Sequence, residues 1–460
     1  MIKLFTSQCM SPDHSSKRWN LYFLIGSLLT STLANAAPAA SLKPDSGDVA
    51  WMLVATVFVF LMTIPGLSLF YSGLVRLKNA IAIQTQILLC LASIFLAWIV
   101  AGYAITFSGF LDFAAIADKV LFLNVPASSL VKGADTGRML PEYLYALFQS
   151  AFAVIACALV IGAMAERLRV WGAITFVLLW LFMAYVPIAH LVWYRDGLLA
   201  GWGILDFAGG LVVHLIAGIA GLVAASTIDN RQNFGQKPLA PHSLNSVLTG
   251  TAFLWLGWIG FNAGSALGAN NVAVQAFINT MLAPCAGCIA WVLLERMRYG
   301  MSTSLGGASG VLTGLIAVTP AAGFVAPWAA IVIGVVATLT SFNTVSIVKR
   351  RWKIDDSLDV FALHGVSGLV GSLLVAVFAF QGLGGTIPLA AGMTLGETII
   401  RQIGVQTLAC VIVVSISSLA TVAALAMANK LTCLLLQPEE EELGLDAIDH
   451  QETAYNFLNE

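Results

Sequence analysis

LDFAGGLVVHLIAGIAGLVAAS, residues 205–226, opens on one carboxylate, holds one histidine in its interior and otherwise carries little but small and apolar side chains. At about 1.5 Å of rise per residue, such a run makes a helix long enough to cross the ~30 Å hydrocarbon layer of a bilayer. A titratable ring at the depth of His214 is expensive unless it faces a bundle interior or an aqueous path and finds a partner. The stretch therefore predicts a membrane helix with one face turned toward other helices.

Apolar runs of spanning length recur on both sides of it, at 50–74, 81–108, 141–165, 171–191, 244–262, 274–294, 302–320, 325–347, 359–379 and 402–429. With 205–226 they predict an all-α polytopic membrane protein of eleven transmembrane helices. Composition agrees: 59% of the 460 residues are hydrophobic and 10% charged, against about a quarter charged in soluble domains. Such a chain must leave much of its outside to the lipid bilayer. A net charge of -2 provides no basic face for nucleic acid. The cysteines are scattered, and the two nearest in sequence, Cys285 and Cys288, lie inside an apolar run where packed thiols are expected instead of a zinc site or a disulfide scaffold.

The ends read differently. Lys17 and Arg18 precede an apolar stretch, Trp19–Thr32, that runs into Leu33-Ala34-Asn35-Ala36, the small-x-small pattern of a cleavable leader. Residues 1–36 are expected to be a cleaved signal peptide, 37–436 the transmembrane domain and 437–460 a polar cytoplasmic tail. If the first span enters from outside, thirteen basic residues fall on the cytoplasmic side, with clusters at Arg76/Lys78, Arg167/Arg169 and Lys349–Lys353, and six fall outside. That bias predicts an external N-terminus and a cytoplasmic C-terminus.

Two segments share a pattern: Leu205-Asp206-Phe207 leads to His214, and Leu358-Asp359-Val360 leads to His364. They lie five spans apart and so enter the membrane from opposite sides, as in an inverted repeat of five plus five helices with one extra C-terminal helix. A neutral imidazole accepts at one nitrogen and donates at the other, so paired histidines suit a small ligand that exchanges a proton. A structural interhelical hydrogen bond is the competing reading for either ring. Asp206 is expected to cap its helix and to add negative charge to a vestibule. Asp356, with Asp359 three residues on, resembles an acidic capping arrangement. Phe148 and Phe152 share one helical face, as do Phe261 and Ser265, and Trp193 follows His190 at a span end. Aromatic faces attract cations by about 2 kcal/mol when dry. Stripping an ion of water costs far more, so a dry aromatic gate favours a neutral molecule or a separately routed proton. Ordinary core packing of phenylalanines would give the same spacing.

Taken in order, these segments resemble the ammonium transporter family (Amt/Mep/Rh), its Amt branch in particular. The resemblance rests on Met62-Thr63-Ile64-Pro65-Gly66-Leu67, Phe70–Arg76, Phe148-Gln149 with Phe152-Ala153, Ala165-Glu166-Arg167, and Asp206–Gly210 through His214. It continues through Gly257-Trp258, Gly260–Ser265, Asp355–Val360 through His364-Gly365, and the acidic Pro438–Asp446 tail. It implies a homotrimer in the inner (plasma) membrane, with one conduction path per subunit and no cofactor. By motif, Phe148, Trp193, Ser265 and Asp206 would serve ammonium recruitment, Phe152 and Phe261 the pore gate, and His214 with His364 the pore and proton relay. The resemblance also implies deprotonation, passage as ammonia, and a PII-type nitrogen-regulatory protein as a cytoplasmic partner. A passive ammonia gas channel and a membrane ammonium sensor are the alternatives. No activated nucleophile or metal constellation supports an enzyme.

Overall fold

The structure, a computed structural model, describes residues 43–109, 112–132 and 139–455, so the expected signal peptide lies outside the described residues. Among the described residues, ten helices are long and apolar enough to span: α1 Ser46–Leu74, α2 Leu77–Thr106, α3 Glu142–Ala163, α4 Val170–Gly201, α5 Gly210–Thr227, α6 Leu244–Gly264, α7 Asn271–Tyr299, α9 Pro327–Trp352, α10 Phe361–Phe378 and α11 Leu395–Leu431. The run expected at 302–320 forms a shorter apolar helix, α8 Ser304–Val318. Its chain leaves the helix at Thr319 and Pro320, because proline has no N–H to continue the ladder. The fold is thus a mostly helical, multi-pass membrane bundle, and among the described residues one small antiparallel ribbon, β1 Leu130–Lys132 with β2 Met139–Pro141, sits in the longest loop.

Burial sorts the helices. α3 is 89% buried along its apolar window and forms the axis of the bundle, whereas α7 is 33% buried and α9 39%. The outward side chains of the peripheral helices, among them Leu88, Leu96, Val274, Ile289 and Leu419, are exposed hydrocarbon and suit a lipid solvent. Cys285, expected to be packed, also lies on this outer surface, while Cys288 is partly buried; both are free thiols. Their helix turns one flank away from its neighbours, and periodicity alone did not say which flank.

Two helices begin differently from the sequence reading. The segment 205–209 is not helical: Asp206 folds back as a cap, and Gly209 adopts φ +108, so α5 starts only at Gly210. At the start of α10 the same device recurs with Asp356 as the cap, and Asp359 takes φ +58. The matched residues are therefore Asp206 with Asp356 and Gly209 with Asp359, and each cap precedes its histidine by eight positions. The expected pairing of Asp206 with Asp359 is wrong by three residues. Asp359 does not complete an acidic capping pair either, since its Oδ2 takes a hydrogen bond from Lys349 Nζ at 2.7 Å.

α5 and α10 cross at Gly218 and Gly365. A Cβ on Gly218 would lie 2.1 Å from the Gly365 backbone nitrogen and 2.2 Å from its Cα. Small residues here let the two backbones touch, which brings the histidines of both helices together.

The tail is docked onto the bundle. Its helix α12, Pro438–Leu443, starts with a capping box from Gln437 and Glu440. Glu441 Oε1 bonds Arg76 Nη2 at 3.0 Å and the Gln232 backbone at 2.9 Å, and Glu440 and Asp449 both pair with Arg169. Asp446 accepts from the backbone N–H groups of Ile81 and Ala82, while Leu436 and Leu445 pack on Ala82. Next to it lies a web of buried charge. Asp355 holds Arg231 through a fork of hydrogen bonds at 2.8 and 3.0 Å, and Arg167 donates to the Asp355 backbone carbonyl at 2.7 Å.

Candidate functional site

At the end of the bundle opposite the tail, a cavity of about 150 Å³ is lined by Tyr145, Phe148, Gln149, Phe152, Trp193, Phe207, Ser265 and Leu267. The C-terminal ends of α4 and α6 and the N-terminal half of α3 bring these together. Phe148 and Phe152 stand edge to face, with centroids 4.9 Å apart, and Phe152 meets Trp193 likewise at 5.6 Å. Ser265 donates its hydroxyl proton to the Phe261 carbonyl at 2.9 Å, which leaves its oxygen lone pairs free to accept from a ligand.

Asp206 does not line this cavity. Its carboxylate takes four backbone hydrogen bonds, from Gly209, Gly210, Leu211 and Val212, at 2.6 to 3.2 Å. Trp193 Nε1 donates to the Asp206 carbonyl at 3.1 Å, so the cap also fixes the wall of the cavity. Both carboxylate oxygens are thus occupied by the helix start.

Below the cavity, Phe152 and Phe261 stack nearly parallel, 4.2 Å between centroids and 18° between planes, and both are fully buried. Phe261 then meets His214 at 5.9 Å. His214 Nδ1 lies 3.2 Å from His364 Nδ1, a distance that requires one ring to donate and the other to accept. One proton therefore sits between the two nitrogens, and the rings are held in complementary tautomers. His214 Nε2 is buried and has no hydrogen-bond partner among the described residues. Beyond the pair, a narrow void of about 10 Å³ is bordered by His214, His364, Trp258, Tyr71 and Leu67, at the lower limit for one water.

Sequence reasoning missed several of these residues. Trp258 stacks on His214 with centroids 5.2 Å apart and 17° between planes, and is anchored by a hydrogen bond to Thr319 at 2.8 Å. Tyr145, Gln149 and Phe207 line the outer cavity, and Gln149 Oε1 is buried without a partner among the described residues. Trp258 precedes Phe261 by three positions, one helical turn, and that spacing was the available signal. Phe207 sits in a non-helical loop, where no periodicity could place it.

The contact between α5 and α10 makes a direct prediction. Gly218→Ala should lower transport at least tenfold and destabilise the protein by about 1–3 kcal/mol, because the neighbouring atoms are backbone and cannot rotate away. Flux in vesicles and thermal unfolding of the same preparation check it; wild-type values for both would show that the helices need not touch.

A stack of aromatic rings thus lies between the outer cavity and a buried histidine pair inside a multi-pass membrane bundle, an arrangement that suits a transporter of a small solute. A model of the Ammonium Transporter Family matches residues 50–455, and the chain belongs to that family. It is 39% identical over 430 residues to an ammonium transporter of Aquifex aeolicus, with 94% of this chain and 98% of that one covered. The crystal structure of Saccharomyces cerevisiae Mep2 superposes with a TM-score of 0.76 at 32% identity, covering 86% of this chain and 91% of that one. A sensor Amt protein superposes with a TM-score of 0.76 at 26% identity, covering 88% and 98%. The chain is accordingly a membrane-embedded ammonium transporter and not an enzyme.

Proposed function

We propose that ammonium is recruited as NH4+ in the cavity among Phe148, Trp193 and Ser265, loses one proton there, and crosses the Phe152/Phe261 stack as NH3. The proton moves separately and is relayed between His214 and His364, and NH4+ forms again on the far side. The observation that carries this reading is the direct succession of the stacked rings and the Nδ1 to Nδ1 contact of 3.2 Å. Cation–π contacts worth about 2 kcal/mol offset only a small part of an ion's hydration, and an isolated buried charge costs tens of kcal/mol in the limiting case. A neutral molecule escapes that cost. A hydroxyl proton on the Phe261 carbonyl leaves Ser265 as an acceptor for N–H, a contact that hydrated potassium does not use in the same way. Ammonium-driven current, measured beside ammonia flux in vesicles of purified protein, tests the mechanism. Current that tracks flux supports it, flux without current returns the passive gas channel, and no ammonium-dependent flux favours the sensor.

The same reading places the N-terminus outside, the tail in the cytoplasm, and α8 as an eleventh crossing that completes five plus five helices and one more. Cysteines placed at Ser128 and Ala447, both exposed, should react with an impermeant thiol reagent from opposite faces of an intact inner membrane. Labelling of both from one face would overturn this orientation.

The reading includes a homotrimer whose tail is regulatory. The docked tail and the likeness to a sensor Amt protein favour a signalling contribution, with a PII-type protein received at the cytoplasmic face. Truncation after Gln437 is expected to abolish PII binding and to change flux severalfold, with selectivity against potassium unaltered. Unchanged flux and binding would remove the tail from regulation.

A further inference from the structure

α7 carries Cys285-Ala286-Gly287-Cys288 at its middle. Cys285 is the fifteenth of its 29 residues, about 21 Å from either end at 1.5 Å of rise, and so stands near the centre of a ~30 Å hydrocarbon layer. Both thiols are free; Cys285 is exposed on the outer flank with Met281 and Ile289, and Cys288 is partly buried. Three positions apart, they share one flank of the helix, with Cβ atoms about 5–6 Å apart. Beside Cys288 the surface is notched: a Cβ on Gly307 of α8 would lie 3.8 Å from Cys288 Sγ and from Val292 Cγ1 and would meet nothing nearer. The turn before the pair lacks one ladder bond, because Pro284 has no N–H for the Thr280 carbonyl, which accepts from Trp255 Nε1 at 3.2 Å instead.

These surroundings select the chemistry. A disulfide needs Cβ atoms about 3.8 Å apart, closer than the helix holds them, whereas one inserted atom with two sulfur bonds of about 2.3 Å each spans the gap. A bare metal ion wants more ligands, and no group of three or more His, Cys, Asp or Glu suited to one occurs among the described residues. Hydrocarbon also disfavours thiolates and any charged reagent. What fits is an uncharged, lipid-soluble acceptor that bonds two thiols at one atom.

We infer that Cys285 and Cys288 form a dithiol site for apolar trivalent arsenicals, reached through the lipid. In the step, an organoarsenic dihydroxide condenses with both thiols: two As–O and two S–H bonds break, two As–S bonds form, and the protons leave in two waters. Arsenic stays trivalent, nothing is oxidised or reduced, and the product is neutral, as hydrocarbon requires. The site shares no residue with the outer cavity, the ring stack or the histidine pair, and it does not depend on how ammonium crosses.

Intact-mass spectrometry of the full chain, treated in membranes with phenylarsine oxide, tests it. Each chain should hold one phenylarsenic unit in place of two hydrogens through a wash with excess 2-mercaptoethanol, and release it to 2,3-dimercaptopropanol. No adduct, or one that the monothiol removes, would overturn the dithiol. C285A and C288A should each lower the retained adduct at least about tenfold while eluting from size exclusion like the parent; retention in either would place the arsenic elsewhere and overturn the site. Cys157→Ala, which removes a fully buried thiol, should keep the adduct, and its loss would overturn the assignment. C288A/A286C puts the second thiol next to the first in sequence but on another flank; retention equal to the parent would overturn the shared-flank geometry. A phenylarsine oxide bearing a sulfonate should label at least about tenfold more slowly in membranes, and equal rates would put the thiols in water and overturn entry through the lipid.

Discussion

Replacing His214 by leucine is expected to cut ammonium-driven current at least tenfold while the protein remains folded and inserted. Leucine fills a similar volume against Trp258 and Phe261 but carries no proton, and it leaves His364 Nδ1 without the partner that stood 3.2 Å away. A buried polar atom that loses its partner costs about 1–3 kcal/mol, too little to unfold a bundle of this size. A loss of current would thus report on the relay and not on the fold. His364→Leu should behave alike, because the proton is shared. Current on a supported membrane, with size-exclusion elution as the folding control, decides the matter. Wild-type current in both variants would reduce the two histidines to an interhelical tie.

Asp355→Asn is expected to have the largest effect on stability, about 3–5 kcal/mol, since it removes the carboxylate that forks Arg231 and leaves that buried cation only the longer contact to Glu166 at 3.8 Å. Burial by itself would push the Asp355 carboxyl up, but the hydrogen bonds from Arg231 and the charge of Arg167 outweigh it and hold the group at about 2. The folded value lies below the ordinary one of about 3.9, so the stabilisation is complete above about pH 4 and is lost as pH falls through 2. Thermal unfolding of parent and variant across that window should converge toward the acid end. A difference that persists undiminished at the lowest pH would mean that the carboxylate charge is not what holds the web. The neighbouring residue Asp356 caps the helix that carries His364, so loosening this corner should also be felt in transport.

Much of the fold could be read from the chain, because membrane spans need long apolar runs and leave little room for ambiguity. Placement within the spans was less legible. The caps of α5 and α10 came out three residues out of register because Leu-Asp appears at both 205–206 and 358–359, and the sequence does not show which aspartate folds back onto backbone N–H groups. The conformation decides it: a positive φ three residues after the cap needs a residue that tolerates it, and Gly209 and Asp359 occupy those places. His214 and His364 stood out because imidazoles are rare in so apolar a chain, whereas spacing paired Phe148 with Phe152 and only the family resemblance set Phe152 beside Phe261. Trp258 and Gln149 were present in the motifs, yet they received no role, since neither periodicity nor charge tells a lining side chain from a packed one. The tail was legible as polar, but its docking through Glu441 and Asp446 depends on backbone groups of distant loops.

Phe152 and Phe261 lie face against face, so the proposed passage has no bore between them. A conduit that is always open behaves as a resistor, and its throughput follows the concentration difference across it. One closed by two rings behaves as a shutter, and its throughput follows how often the rings part. In a close-packed interior, that parting requires the neighbours to give way together. Throughput should therefore rise more steeply with temperature than diffusion through water does, and it should level off once a molecule is waiting at every opening.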